Sequence, residues 1–231
     1  MPAPDETAPR TWIVIPAFNE GEVIGDVVRG VRARFPDVVL VDDCSGDATG
    51  TAAAAAGAVV LRHPVNLGQG AALQTGIRYA LQQGAGAIVT FDADGQHRVE
   101  DIDVLLARQR QTGADVVVGS RFLGTAQGIP PLRRLVLKAA VVFTRLTSGV
   151  QLTDAHNGLR LLTRRAAQRL QIRQNRMAHA SEIVEQIGAL GLSVAEAPVT
   201  IVYTAYSLRK GQKLSNAVHI LAELFLARLQ R

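Results

Sequence analysis

Short apolar runs alternate with longer amphipathic runs through the first half of this chain, and this alternation restricts the fold more than any other feature. The apolar runs predict five strands: Thr11–Ile15, Val38–Val41, Ala58–Leu61, Ala87–Phe91 and Asp115–Val118. The runs between them carry apolar residues at helical spacing and predict four helices: Glu20–Arg34, Asp47–Ala56, Gly70–Gln82 and Val99–Gln111. Such an alternation predicts an α/β fold with a mostly parallel central sheet, covered by helices on both faces.

The pattern changes after Gly119. The later segments predict a basic, apolar helical stretch over Ile129–Thr147, a strand over Leu159–Thr163 and a helix over Ala178–Leu190. They also predict one or two strands broken by Pro198 within Ser193–Val202, and an amphipathic helix over Leu214–Leu229. We therefore predict a disordered lead-in over residues 1–10, one α/β domain over 11–213, and a C-terminal amphipathic helix within 214–231.

The amino-acid composition indicates how the core is packed and in which compartment the protein works. Hydrophobic residues make up 48% of the 231 residues and aromatic residues only 4%, as expected for helices packed on a parallel sheet. The single cysteine, Cys44, excludes an internal disulfide and fits a reducing compartment. The polar, Pro-rich N-terminus does not resemble a secretion signal, and no run of about 18 uncharged apolar residues predicts a membrane span.

Basic residues are concentrated late in the chain, whose net charge is +5. Residues 121–153 contain no acid, and the segment from Thr204 holds five basic residues against Glu223 alone. A basic balance suits phosphorylated ligands, an anionic membrane or nucleic acid. No aromatic platform interleaves the basic residues, so nucleic acid is the least favoured partner. A solvated basic face remains the alternative.

Polar residues follow each predicted strand of the parallel sheet. These clusters are Pro16–Glu20, Asp42–Asp47, Asn66–Gly70, Asp92–Asp94 and Gly119–Arg121. Open parallel sheets bind ligands beyond the carboxyl ends of their strands. We therefore expect the five clusters to lie at one edge of the sheet and to form a ligand site.

Two carboxylates, Asp92 and Asp94, stand one residue apart just after a buried strand. Like charges this close repel each other, and burial makes each charge costlier, so a divalent cation is the obvious counterion. All-oxygen ligation favours Mg²⁺ or Mn²⁺, and Gln96 could add a neutral oxygen. The alternative is a pair of turn acids that cap the next helix.

The glycines of Asn66–Gly70 open a predicted helix. Glycine permits close backbone approach, and a helix N-terminus favours an anion. The segment is neither a Walker P-loop nor a dinucleotide fingerprint, because no Gly-Lys-Ser/Thr follows and it does not come after the first strand. An ordinary glycine-bearing helix start is the alternative.

Five ordered motifs carry a resemblance to a known family: "VIPAFNE", "LVDDCSGD", "NLGQGAALQTGI", "TFDADGQH" and "VVVGSRF". The chain resembles the inverting nucleotide-sugar glycosyltransferases of family two, which have the GT-A fold. Within that family it looks most like the branch of dolichyl-phosphate mannosyltransferases and bacterial polyprenyl-phosphate glycosyltransferases. The resemblance is dense over about the first 120 residues and looser beyond them.

The resemblance implies roles for individual residues. Residues that would line the donor and nucleoside pocket are Pro16, Ala17, Phe18, Glu20, Asp42, Asp43, Ser45, Gly68, Gly70, Asp92 and Ala93. The metal-binding motif of the family corresponds to Asp92, Asp94 and Gln96. Arg121 would face the phosphates, and the stretch "YSLRKGQK" would bring Arg209 and Lys213 to the diphosphate or to an acceptor phosphate.

Asp154 is a candidate general base, within the divergent text "TDAHNGLRLLTR". A phosphate acceptor is already an anion and needs little deprotonation, whereas a sugar hydroxyl would need a base. His156 is unusual for the family at its position, and His179 and Glu182 could contact the donor sugar. These departures leave the identity of the sugar open.

The implied activity is metal-dependent, inverting transfer of a hexose from a UDP- or GDP-sugar to a polyprenyl phosphate at the cytoplasmic face of the membrane. Transfer to a saccharide hydroxyl and a catalytically silent nucleotide-sugar-binding subunit are the alternatives. The basic stretch Ile129–Thr147 and the C-terminal helix suggest a peripheral anchor on an anionic surface. Packing on their own domain, or formation of a homodimer, would explain them equally well.

Overall fold

A computed structural model describes residues 10–127, 141, 148–175, 178–204 and 206–207. Several predictions concern residues outside these ranges. They are the lead-in before Arg10, almost all of the Ile129–Thr147 stretch, the C-terminal helix within 214–231, and the two basic residues Arg209 and Lys213. The predicted domain limits therefore remain predictions.

The described residues form seven strands and six helices. In chain order they are β1 Thr11–Ala17, α1 Ile24–Arg32, β2 Asp37–Asp42, α2 Thr49–Ala55, β3 Val59–Arg62, α3 Gln69–Gln82, β4 Ala87–Thr90, α4 Glu100–Thr112, β5 Val116–Gln127, β6 Arg160–Thr163, α5 Arg164–Arg169, α6 His179–Ala189 and β7 Val194–Val202. Every strand and helix predicted within these ranges is present. Strand β5 continues nine residues past its predicted end at Val118, and the short helix α5 was not predicted.

The seven strands form one sheet in the order β3-β2-β1-β4-β6-β5-β7. Strands β1 to β4 pair in parallel, as do β5 and β7, whereas β6 is antiparallel to both β4 and β5. The predicted mostly parallel α/β sheet is confirmed. Because β6 runs in the opposite direction, it begins at the edge where β4 ends, with Arg160 opposite Thr90. The segment that leads into β6 therefore lies at the carboxyl edge of the parallel strands.

Strand β7 passes through Pro198 without a break. It is an edge strand, where the missing N–H of a proline is tolerated. Pro198 lies opposite Ser120, and the regular pairing of β5 with β7 is interrupted between Ser120 and Thr125. The predicted interruption at the proline therefore appears as an irregularity in pairing and not as two separate strands.

Apolar residues are buried on both faces of the sheet. Along β1, Ile13 and Ile15 join a cluster with Ile24 of α1, whereas Val14 joins a second cluster with Ile77 of α3 on the opposite face. A strand that buries both faces reads as the continuous apolar run seen in the sequence. Within the described part of the chain, no helix is long and apolar enough to cross a membrane.

Candidate active site

The carboxyl ends of β1, β2 and β4 meet the segment before β6 at one edge of the sheet. Hydrogen bonds between loops hold this edge together. The backbone N–H of Asn19 donates to Ser45 Oγ at 2.9 Å, and the N–H of Gly46 donates back to Asn19 Oδ1 at 2.8 Å. The loops after β1 and β2 thus form one unit, as their position in a parallel sheet predicts.

Asp92 and Asp94 follow β4, and their carboxylates have different surroundings. Asp92 Oδ2 lies 2.9 Å from His97 Nε2, and Asp92 Oδ1 accepts a hydrogen bond from Gln69 Nε2 at 3.3 Å. Asp94 Oδ1 accepts one from the N–H of Gln96 at 3.1 Å. The Asp92 side chain keeps 30% of its surface exposed, so the carboxylate is accessible while it is held from two sides.

The two carboxylates also differ in pKa. Burial and the negative charge of Asp92 raise the pKa of Asp94 to about 6. Burial acts in the same direction on Asp92, but the hydrogen bond from His97, with the charges of His97, Arg160 and His179, lowers its pKa. Asp94 therefore carries a carboxylate whose charge is disfavoured first by burial and then by the neighbouring charge of Asp92.

The residues present fit a divalent cation. The donor set consists of oxygens, and the charge repulsion at Asp94 is what a bound cation would relieve. The described ranges contain no group of three or more His, Cys, Asp or Glu side chains that could hold a metal ion. A site built on Asp92 and Asp94 would thus rely on few protein ligands, which is usual for Mg²⁺ sites completed by substrate phosphates.

The predicted nucleoside pocket lies beside this pair. Asp42 is fully buried, and its Oδ1 accepts a hydrogen bond from the N–H of Ser45 at 2.8 Å. Its Oδ2 has no hydrogen-bond partner among the described residues, although Arg62 Nη1 lies 3.5 Å away. This oxygen is closed to solvent, and its charge is met within the protein by the Arg62 guanidinium. Phe18 is 44% exposed at the same edge, after the buried residues Pro16 and Ala17.

Tyr206 contacts a residue of the same predicted pocket. Its hydroxyl donates to Glu20 Oε2 at 2.7 Å, and the N–H of Glu20 donates to Thr49 Oγ1 at 2.7 Å. Burial and the bond to Glu20 raise the pKa of Tyr206. A cleft of about 410 Å³ opens here, between Tyr206, Asp94 and the apolar side chain of Val27. Tyr206 therefore lies against the candidate site, whereas the predicted phosphate contacts of Arg209 and Lys213 fall outside the described residues.

Asp43 and the two glycines of the Asn66–Gly70 segment have contacts within the protein. The Asp43 carboxylate accepts the N–H groups of Leu67 at 2.9 Å and Gly68 at 2.7 Å. The N–H of Gly70 donates to the carbonyl of Asn175, and a Cβ on Gly70 would lie 2.0 Å from the Gln174 carbonyl oxygen. Close packing on this backbone is thus a reason for glycine at position 70. The predicted donor contacts of these residues stay predictions.

Arg121 and Asp154 form a buried ion pair. Asp154 Oδ2 accepts hydrogen bonds from Arg121 Nε at 2.6 Å, from the Arg121 N–H at 3.0 Å and from Asn157 Nδ2 at 3.3 Å. The Asp154 side chain is 1% exposed, and Arg121 Nη1 donates to the Tyr203 hydroxyl at 2.9 Å. These contacts favour a role for Asp154 in holding Arg121. The predicted role of Asp154 as a base stays untested.

The sequence interpretation gave no role to two residues that lie beside Asp92. Arg160 is 2% exposed, and burial lowers its pKa to about 10, against the opposing charges of Asp92 and Asp154. Gly158 lies so close to Asp92 that a Cβ would stand 2.2 Å from Asp92 Oδ2. The only sequence signal for either residue is the text "NGLR", which lies within the divergent stretch "TDAHNGLRLLTR".

Two histidines of this region differ in burial: His156 is partly buried, and His179, the predicted contact of the donor sugar, is buried. His156 Nε2 is 3.2 Å from Ser181 Oγ, and burial lowers the pKa of His156 to about 4. His179 is 4% exposed, at the start of α6. The Glu182 carboxylate accepts the N–H groups of Arg173 and Gln174, so Glu182 holds this segment of the backbone.

Comparison with known proteins shows a family model and curated relatives that match most of this chain. The family model described as "Glycosyl transferase family 2" matches residues 12–170. The UDP-N-acetylglucosamine–dolichyl-phosphate N-acetylglucosaminyltransferase of Methanococcus voltae is 28% identical over 240 residues, covering 94% of this chain and 96% of that protein. The polyprenol monophosphomannose synthase of Mycolicibacterium smegmatis is 30% identical over 237 residues, covering 96% and 89%.

A solved structure shares the architecture. Glucosyl-3-phosphoglycerate synthase from Mycobacterium tuberculosis, crystallised with Mn²⁺ and UDP-glucose, superposes with a TM-score of 0.74 at 18% identity, covering 96% of this chain and 79% of that one. At this level of identity the likeness shows the GT-A fold and nothing finer.

Proposed function

Because this chain belongs to glycosyl transferase family 2 and is a glycosyltransferase, we propose that it transfers a hexose from a UDP- or GDP-sugar to a polyprenyl phosphate, with inversion. The observation that carries the proposal is the pair Asp92 and Asp94, which lies at the carboxyl end of β4 beside the loops of the predicted nucleoside pocket. The named activities of the relatives in Methanococcus voltae and Mycolicibacterium smegmatis support the acceptor class.

The donor would bind across the carboxyl edge of the sheet. The loops after β1 and β2, which follow the predicted pocket residues Ala17 and Asp42, would meet the base, and the exposed ring of Phe18 offers it an apolar surface. Asp92, Asp94 and Gln96 would hold Mg²⁺ or Mn²⁺, which when bound neutralises charge on the leaving diphosphate. His97 and Gln69 keep the Asp92 carboxylate oriented towards that position.

In the transfer itself, the bond from the anomeric carbon to the donor diphosphate breaks as a bond to the acceptor phosphate oxygen forms on the opposite face. The products are a nucleoside diphosphate and a polyprenyl-phosphate sugar with inverted configuration. An acceptor phosphate is already an anion, so positioning and charge neutralisation carry the reaction. This fits an Asp154 carboxylate that is engaged by Arg121, whose guanidinium would face the phosphates.

The acceptor side of the proposal rests on residues outside the described ranges. Arg209 and Lys213 would contact a phosphate, and the basic Ile129–Thr147 stretch and the C-terminal helix would hold the enzyme on the anionic inner face of the membrane. Co-sedimentation with vesicles that contain anionic lipid should decrease as salt increases. Equal recovery in the supernatant with and without vesicles would refute the anchoring; a homodimer seen by light scattering would then explain the same segments.

Calorimetric titration with UDP and GDP, each with Mn²⁺ and with EDTA, tests the donor site. We expect metal-dependent binding of one nucleotide. Product analysis with that nucleotide's sugar, comparing polyprenyl phosphate with oligosaccharide acceptors, then tests the acceptor. Transfer only to the oligosaccharide would favour the saccharide-hydroxyl alternative. Binding without transfer to any acceptor would favour a catalytically silent subunit.

A further inference from the structure

A buried histidine outside the motifs of the sequence analysis joins three elements of the candidate site. His63 follows β3 directly and is 7% exposed. Its Nδ1 lies 2.7 Å from Asp43 Oδ1, and its Nε2 lies 3.0 Å from Thr75 Oγ1 of α3. Its backbone N–H donates to the carbonyl of Asp42 at 2.9 Å. Both ring nitrogens are therefore partnered, and the ring links the ends of β2 and β3 to α3.

The Asp43 carboxylate is the centre of this arrangement. Besides His63, it accepts the N–H groups of Leu67 and Gly68, at 2.9 and 2.7 Å. The Asp43 side chain is 4% exposed. A deprotonated carboxylate can only accept hydrogen bonds, so the proton of this bond belongs to Nδ1 of His63, and a neutral ring then accepts at Nε2 from the Thr75 hydroxyl.

The segment that Asp43 holds leads directly to Asp92. Gly68 has a φ of 98°, a backbone conformation that favours glycine and depends on the surrounding contacts to persist. The next residue, Gln69, donates from Nε2 to Asp92 Oδ1 at 3.3 Å. A continuous series of contacts therefore runs from His63 through Asp43 and Gly68 to the carboxylate beside which the donor diphosphate would bind.

We infer that His63 is a positioning residue: it fixes the Asp43 carboxylate, which orients residues 67–69 and so sets Gln69 against Asp92. His63 touches no reacting group in this arrangement. The inference deepens the proposed function, on which it rests for the identity of the ligand, but its geometric part concerns the ligand-free protein. It predicts that loss of the bond from Nδ1 changes the 67–69 segment and weakens donor binding more than it weakens the fold.

Two substitutions of similar size separate the bonds that His63 makes. In His63→Asn the side-chain amide nitrogen stands near the place of Nδ1 and can still donate to Asp43. In His63→Gln the amide stands near the place of Nε2 and loses that bond. We expect His63→Gln to raise the KM for the nucleotide sugar and the Kd for the nucleotide roughly tenfold or more, since hydrogen bonds to charged groups are among the stronger ones. His63→Asn should stay near the wild-type values.

Hydrogen exchange of the ligand-free protein gives a readout independent of activity. The amides of Leu67 and Gly68 should exchange faster in His63→Gln than in the wild type, and His63→Asn should restore their protection. Ser193→Ala is the matched control, because Ser193 Oγ donates to the buried carboxylate of Asp115 at 2.9 Å, at the start of β5 and far from these loops. It should lower the Tm without changing the exchange of Leu67 and Gly68 or the donor KM.

The outcomes separate the inference from the proposed function. If His63→Gln lowers the Tm like Ser193→Ala but leaves both exchange and donor KM at wild-type values, the histidine is merely structural and the inference is wrong. If exchange increases in His63→Gln but the wild type binds neither UDP nor GDP, the positioning role stands and the proposed function fails. Should His63→Gln not fold, Thr75→Val, which removes the partner of Nε2, should increase exchange at Leu67 and Gly68 in the same direction but less.

Discussion

Replacing Asp154 with asparagine separates two explanations of a buried carboxylate. If Asp154 is a general base, Asp154→Asn should abolish turnover and leave the fold nearly as stable as before. If it holds Arg121, the same change should destabilise the protein, because the guanidinium loses its counter-charge in a site where the two side chains are only 9% and 1% exposed. We expect the second result.

The structure sets the size of the effect. Breaking one partner of a buried ion pair typically costs about 3–5 kcal/mol, because the remaining charge is left uncompensated. Asparagine retains an oxygen that can accept from the Arg121 N–H, which is 3.0 Å from Asp154 Oδ2, so the lower end of that range is expected. For a chain of this length, 1 kcal/mol corresponds to about 2–4 °C in Tm. A fall of about 6–12 °C is therefore predicted.

Urea denaturation and thermal melting measure the loss, and initial rates of sugar transfer measure turnover. Asp103→Asn is the matched control, since Asp103 pairs with Arg34 at the surface, where both side chains are about half exposed and ion pairs contribute roughly 0–1 kcal/mol. A variant Asp154→Asn that keeps the wild-type Tm but has lost turnover would refute the ion-pair reasoning and restore Asp154 as the candidate base.

Three further predictions address the neighbouring groups. Asp94→Ala should reduce turnover by orders of magnitude. It should not lower the Tm of the metal-free protein, because it removes a carboxylate whose pKa is raised to about 6 by burial and by the charge of Asp92. Near-normal initial rates would contradict the metal role. Gly158→Ala should impair metal-dependent transfer, since its Cβ would stand 2.2 Å from Asp92 Oδ2. In the control Gly30→Ala, the added Cβ meets no atom closer than 3.6 Å. Equal transfer rates in the two variants would contradict the steric argument. Burial lowers the pKa of His156 to about 4 from an unfolded value of about 6.5, so the stability that the neutral ring contributes is present above pH 6.5 and lost as the pH falls towards 4. Urea titrations should show the wild type losing roughly 3 kcal/mol more of its free energy of unfolding than His156→Gln between pH 7 and pH 4. Equal losses in the two proteins would exclude His156 as the cause.

The order of strands and helices in the first half of the chain followed from local patterns. Apolar runs such as those that became β1 and β2 are bounded by polar residues, and the helices between them carry apolar residues at helical spacing. The position of the polar clusters after β1, β2 and β4 at the carboxyl edge followed from the rule for parallel sheets. The antiparallel direction of β6 could not be predicted from the sequence, because the short run that became Arg160–Thr163 carries no information about which strands it will pair with.

The sequence by itself determined the α/β class, the family and the acidic pair Asp92 and Asp94, because these depend on periodicity and on motifs within a few residues. Only the tertiary structure decided which polar groups are already engaged by partners within the protein. His63 meets Asp43 across 20 residues, and Arg121 meets Asp154 across 33. Hydrogen bonds of this kind form when packed segments bring distant side chains within about 3 Å of each other, and no local pattern encodes that approach.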